Sequence, residues 1–149
     1  MRIALGSDHA GYPLKAHLVA TLESWGYDVI DLGTSNAEDA VDYPDFAAAV
    51  GRAVVEGAAS LGVAICGTGV GVSIAANKVP GVRAALVHDV TSAHLAREHN
   101  HANVLCLGGR VSGFLVAEEA LRAWLDATPA EGRHLGRIEK LAALDNIRN

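Results

Sequence analysis

The chain has 149 residues, half of them apolar, with few aromatic side chains and a formal net charge of -5. That length supports one domain with a real core, and the composition excludes a disordered chain. No long basic run suggests a nucleic-acid or anionic-membrane partner, and no apolar stretch reaches the ~18 residues of a membrane span.

Arg2–Gly6 (RIALG) reads as a β-strand, and no leader is read before it, so a soluble cytoplasmic protein is expected. The turn-like SDHAGYP follows. Leu14, Leu18, Leu22 and Trp25 then recur at helical spacing behind Pro13, which suits a helix start, and Gly26 ends the helix. Tyr27–Leu32 is the next strand and Gly33–Pro44 a loop. Asp45 is expected to cap a helix through Phe46, Val50 and Val54. Gly62–Cys66 is strand three, with a helix from Gly69 or Val70 through Asn77. Val82–Val87 is strand four. Asp89, Thr91 and Ser92 are capping types ahead of a helix to about His99. Ala102–Leu107 is strand five, and Ser112–Leu125 a helix offering Ala120, Leu121 and Trp124 to the core. After a break at Pro129–Gly132, a last helix carries Leu135, Ile138, Leu141 and Ala142 on one stripe, with basic Arg133, Arg137 and Lys140. That basic spacing either meets an anion or forms a solvated face.

Short apolar strands alternating with helices indicate a parallel sheet covered on both faces. The expected fold class is α/β, a doubly wound, flavodoxin-like three-layer sandwich with a five-stranded parallel sheet. The expected strand order is 2-1-3-4-5. The whole chain, 1–149, reads as a single domain, with a core over 1–127 and a helical tail over 131–149.

Ligands in such sheets bind beyond the C-terminal strand ends. Ser7, Asp8, His9 and Gly11 lie there, with Cys66, Gly67, Thr68, Gly69 and Gly71, then His88 and Asp89, then Gly108, Gly109 and Arg110. His99 and Asn100 precede strand five, so their route to this edge is less direct. The glycine string does not make a dinucleotide site. It follows the third strand, and Val72 stands where G-x-G-x-x-G requires glycine. No GxxxxGK[ST] loop occurs either. What remains is a tight turn whose amides, ahead of a helix, suit a phosphate or a developing oxyanion. Cys66 sits just before those amides, where the helix start would favour a thiolate. It reads as a general base, as a redox thiol with Cys106, or as a buried apolar spacer. The cysteines make no CxxC or zinc spacing, and the histidines no sharp ligand pattern, so neither metal nor cofactor is expected.

The strings GSDHAGYPLK, DYPDFA, ICGTGVGVSIAANKVPGVRAAL, AREHNHANVLCLGGR and GRHLGRIEKL resemble the type B ribose-5-phosphate isomerases, from Ile3 to about Leu144. Allose-6-phosphate and galactose-6-phosphate isomerases share that fold. The resemblance implies an aldose-ketose isomerase of the pentose phosphate pathway, with Cys66 moving a proton between C2 and C1 through an enediolate. Members without this cysteine use a glutamate a few positions later; here that region has Ala75 and no acid. Thr68 and His99 resemble the ring-opening residues. Asp8 would hold sugar hydroxyls beside Tyr43, and Asn100 with the amides of Gly67, Gly69 and Gly71 would steady the enediolate. His9, Arg110, Arg133, His134 and Arg137 resemble the phosphate contacts. The resemblance further implies a homodimer, or a tetramer, with the tail helix in the interface and active sites between subunits. An allose- or other hexose-6-phosphate isomerase is the alternative, and a non-catalytic sugar-phosphate binding domain a further one.

Overall fold

The computed structural model describes residues 1–148, with the side chain of residue 148 left out; Asn149, the end of the expected tail, lies outside the described residues. Its order is β1 (Arg2–Ser7), α1 (Tyr12–Ser24), β2 (Asp28–Asp31), α2 (Tyr43–Val55), β3 (Leu61–Cys66), α3 (Val70–Ala76), β4 (Ala84–Leu86), α4 (Val90–Asn100), β5 (Val104–Gly108), α5 (Phe114–Asp126) and α6 (Arg133–Asp145). A short 3-10 turn, Asn146–Arg148, follows. The expected elements are all present, with ends shifted by a few residues. One capping expectation fails: α2 begins two residues before Asp45, at Tyr43, with Asp42 at the cap position. Pro44 starts the helix by its fixed φ, and Asp45 instead places its charge in the first turn, where the helix dipole favours it.

The five strands form one parallel sheet in the order β2-β1-β3-β5-β4. The expected order 2-1-3-4-5 is therefore corrected: β5 lies between β3 and β4. The reason is which face receives each helix. Residues of α1, α4 and α5 (Leu14, Leu18, Ala93, Ala96, Leu121, Trp124) share one core cluster with Ile3, Leu5, Val63, Ile65 and Leu105. Those of α2 and α3 (Ala47, Val50, Val72, Ala76) share the other with Ala64, Cys66, Val104 and Cys106. A right-handed crossover that places α4 on the α1 face must step back toward β3. So β5 returns inside β4, whose three residues are only half-buried at the edge.

Period-two alternation along the strands explains the asymmetry of the two faces. The α1 face of the sheet is bulky. The α2 face is cut down by Gly6 and Gly62, where a Cβ would stand 2.8 Å from Val50 Cγ2 and 2.5 Å from Val50 Cγ1. This lets α2 lie close on the sheet and seats Cys66 on a tightly packed side.

The last helix behaves differently. Leu135, Leu141 and Leu144 are exposed and Ile138 is half-buried, so the apolar stripe of α6 is not covered by this chain. Among the described residues, no helix is long and apolar enough to cross a membrane.

Candidate active site

Chain direction across the sheet reverses between β1 and β3, the position where folds of this class bind ligands. Ser7 is in register with Ile65, and Cys66 with Gly108, so the loops after β1, β3 and β5 open on one edge.

Cys66 ends β3 with 5% of its surface exposed. Its Sγ accepts the Gly69 N–H at 3.2 Å. Gly69 aims that amide from a φ of +81°, and a Cβ there would lie 2.5 Å from Leu86 Cδ1 and 2.8 Å from the Leu107 carbonyl carbon. Only glycine satisfies both demands. Helix α3 starts at the next residue, so the sulfur lies at the N-terminal end of that helix. Cys106 differs. It is fully buried, and burial drives its thiol far above the ordinary range, with the Cys66 charge adding to the effect. Ala64, not Cys66, is its register partner. The two cysteines are thus diagonal neighbours, roughly 7–8 Å apart by sheet geometry, beyond the usual reach of a disulfide.

The loop after β5 is tied to the one after β3. Gly109 N–H donates to the Cys66 carbonyl at 2.8 Å, and Arg110 N–H to the Gly67 carbonyl at 2.9 Å. The Arg110 side chain crosses Gly67, where a Cβ would meet its Cδ at 3.5 Å. The Tyr43 ring covers Gly71 so closely that a Cβ there would come within 2.6 Å of its Cζ. Thr68 is exposed beside the sulfur, its Oγ1 accepting the Val70 N–H at 3.3 Å.

From β1 come Asp8 and His9. Asp8 is 7% exposed; its Oδ1 accepts the Gly11 N–H at 2.9 Å, which fixes the carboxylate at the start of α1. His9 Nδ1 accepts the Val41 N–H at 3.2 Å. With Nδ1 used as an acceptor, the neutral ring carries its proton on Nε2. The Val41 contact was not legible in the sequence, because a backbone amide leaves no residue-type signal. Lys15 was also missed. Its side chain is 1% exposed and paired with Asp31, which in turn accepts the Gly33 N–H at 2.9 Å and braces the loop beside this edge.

One edge therefore gathers Asp8, His9, Tyr43, Cys66, Gly67, Thr68, Gly69, Gly71 and Arg110. The other expected residues lie elsewhere. His99 and Asn100 end α4, and β5 begins only at Val104, which is in register with Gly62 and Ala84. They stand at the opposite edge of the sheet. From Gly62 to Cys66 is roughly 13 Å of strand, and His99 lies further back still. Arg133, His134 and Arg137 go with them. The His134 ring stacks on His99 with centroids 4.4 Å apart and planes 11° from parallel. Desolvation first, then His99, Arg133 and Arg137, holds the His134 imidazole below its ordinary value of 6.5. Asn100 opens onto a cavity of about 370 Å³ shared with Arg83, Leu141 and Asp145.

The chain thus carries two clusters of polar side chains on opposite edges of the sheet. One has a thiol, an amide turn, a carboxylate and an arginine. The other has a histidine pair, an asparagine and two arginines. Within the described residues no group of three or more His, Cys, Asp or Glu side chains is arranged to hold a metal ion.

Comparison with known proteins adds the following. A family model described as Ribose/Galactose Isomerase matches residues 3–141. Ribose-5-phosphate isomerase B of Escherichia coli K12 is 47% identical over 148 residues, covering 99% of both chains. A solved structure of Clostridium thermocellum ribose-5-phosphate isomerase B superposes with a TM-score of 0.98 at 47% identity, covering 100% of each chain. The ribose-5-phosphate isomerase B of Mycoplasma genitalium, solved with bound ribulose-5-phosphate, gives 0.93 at 42% identity, covering 97% of this chain and 96% of that one.

Proposed function

The chain belongs to the ribose/galactose isomerase family, and from that premise we propose that it interconverts D-ribose 5-phosphate and D-ribulose 5-phosphate. The observation that carries this reading is the seat of Cys66: a thiol at a strand end, its Sγ receiving an amide N–H, with an aspartate and an arginine on flanking loops.

The reaction has two parts. In the first, the furanose opens: the C1–O4 bond breaks, O1 becomes the aldehyde oxygen, and the proton lost from O1 is matched by one gained at O4. His99 and Thr68 relay these protons, with Asp8 and Tyr43 holding the hydroxyls. In the second, the Cys66 thiolate takes the proton from C2. The C1 carbonyl becomes an enediolate, the O2 proton passes to O1, and the thiol returns its proton to C1. The net change moves one hydrogen from C2 to C1, so no external oxidant, metal or cofactor is required. Developing charge on the enediolate is met by the amides of the Gly67–Gly71 turn and by Asn100. Each well-aimed donor contributes roughly 3 kcal/mol in the transition state. The phosphate is held by His9, through its Nε2–H, and by Arg110, Arg133 and Arg137, whose planar forks suit phosphate oxygens.

Because the half-sites of one chain are on opposite edges, a working site takes Cys66 from one chain and His99, Asn100 and the α6 arginines from another. The uncovered Leu135, Leu141 and Leu144 stripe supports a homodimer with α6 in its interface. Tetramers built from such dimers keep the same sites.

The test is kinetic. Purified protein is assayed side by side on ribose 5-phosphate and allose 6-phosphate, with Cys66→Ala as control. A higher kcat/KM on the pentose, and loss of turnover by roughly 10²-fold or more in the variant, are expected. Preference for the hexose would overturn the substrate assignment. Full activity of Cys66→Ala would overturn the base.

A further inference from the structure

The stacked histidines point past the phosphate role that the resemblance implies for His134. A side chain whose ring face is covered by another ring is placed to orient that ring. Three separate links converge on the end of α4. The His134 and His99 rings stack at 4.4 Å and 11°. Ala130 N–H donates to the Glu98 carbonyl at 2.8 Å. His101 Nε2 donates to the Ala130 carbonyl at 2.7 Å. The segment leading into α6 is thus pinned on both sides of His99, to the Glu98 carbonyl and to the His101 ring, and His134, in the first turn of α6, is 9% exposed beneath the ring.

From this geometry we infer that His134 is a positioning residue for His99: its ring fixes the plane of the His99 imidazole and so aims the group that opens the sugar ring. The inference rests on the isomerase reading given above. Stacking uses the faces of both imidazoles and leaves the edge of the His99 ring clear of His134. The charged and titratable groups around the pair fit that division. Glu98 Oε2 is 3.6 Å from His99 Nε2 and 3.3 Å from His94 Nε2, an orienting carboxylate at the ring edge. Desolvation first, then His99, Arg133 and Arg137, favour the neutral form of His134 against the opposing effect of Glu98.

The role can be isolated because the two sugars differ in what they need. Ribose 5-phosphate is a furanose and must be opened. Ribulose 5-phosphate has its O5 esterified and cannot close a five-membered ring, so it enters as the open chain. Proton transfer at its C1 needs Cys66 but not ring opening. The experiment compares wild type, His134→Ala and His134→Phe in two assays: turnover of ribose 5-phosphate, and exchange of the C1 hydrogen of ribulose 5-phosphate in deuterium oxide, read by proton NMR.

The expected result is that His134→Ala loses roughly 10- to 100-fold in kcat on ribose 5-phosphate, the size of effect that misplacement of an acid–base group produces. Its C1 exchange rate on ribulose 5-phosphate stays within about threefold of wild type, which also shows that the variant is folded. His134→Phe, which keeps a flat ring under His99, recovers most of the lost kcat. An equal rise in KM for both sugars, with no recovery by Phe, would make His134 a phosphate contact and overturn the inference. So would parallel loss of both activities in His134→Ala. If the wild type neither turns over ribose 5-phosphate nor exchanges the C1 hydrogen, the isomerase reading fails, and that outcome is distinct from the other two.

Discussion

Mixing two variants tests the proposed split site directly. Cys66→Ala removes the proposed base from the β3 edge, and His99→Asn removes the proposed ring-opening group from the far edge. Along β3 alone the two edges are separated by roughly 13 Å, several times the ~3 Å over which a proton passes along one hydrogen bond. No side-chain rearrangement within one chain closes that gap, because both residues are fixed to one sheet and its helix. If a site takes Cys66 from one subunit and His99 from the other, a mixed dimer holds one site with both groups intact and one lacking both. Random pairing of equal amounts makes half the dimers mixed, so about one quarter of all sites are restored. Each variant alone should fall to about 1% of wild type or less, and coexpression should therefore raise turnover at least about 25-fold above either. The two chains carry different tags, the mixed species is isolated by sequential affinity steps, and ribulose 5-phosphate formation is followed. Isolated mixed dimers should run at about half the wild-type rate. Mixed dimers no more active than their parents would refute the reasoning and force both groups into one chain.

Other consequences follow from the same contacts. Iodoacetamide should label native protein at Cys66 and not at Cys106, since burial keeps the Cys106 thiol protonated; peptide mass mapping checks this, and label on Cys106 before unfolding would contradict it. Gly11→Ala should destabilise by roughly 1–3 kcal/mol, because its Cβ would stand 2.6 Å from the Ile65 carbonyl oxygen and 2.7 Å from its carbon. The Asp8 loop must then shift, so kcat should fall together with Tm; an unchanged Tm with unchanged kcat would show that the contact relaxes freely. His134 has its pKa lowered from an ordinary value of 6.5, so the unfolded chain takes up this proton first as pH falls. The resulting stability is complete above about 6.5, declines as pH drops through that value, and is lost once the folded-state value is passed. Urea midpoints measured between pH 7.5 and 5 should fall less in His134→Phe than in wild type.

Local pattern alone placed the strands and helices. Short apolar runs such as LGVAIC and VLCLG need burial on both faces, and Pro13, Gly26 and Asp89 mark helix ends by conformations or hydrogen bonds made within a few residues. Parallel strands of that kind also put Asp8, Cys66, Gly69 and Arg110 at a shared edge, because every strand delivers its following loop to the same side. The strand order was not legible in this way. It depends on α4 packing on the α1 face, a contact between residues distant in the chain, and nothing within strands four and five themselves separates 3-4-5 from 3-5-4. For the same reason the sequence named His99, Asn100 and the α6 arginines without showing that they face away from Cys66. The sense of α4 in the fold, running back along the sheet, carries its last residues to the opposite edge. Whether the stripe of α6 covers its own domain was equally a tertiary matter: periodicity shows that a helix has an apolar face, and only the surrounding surfaces decide what is there to bury it.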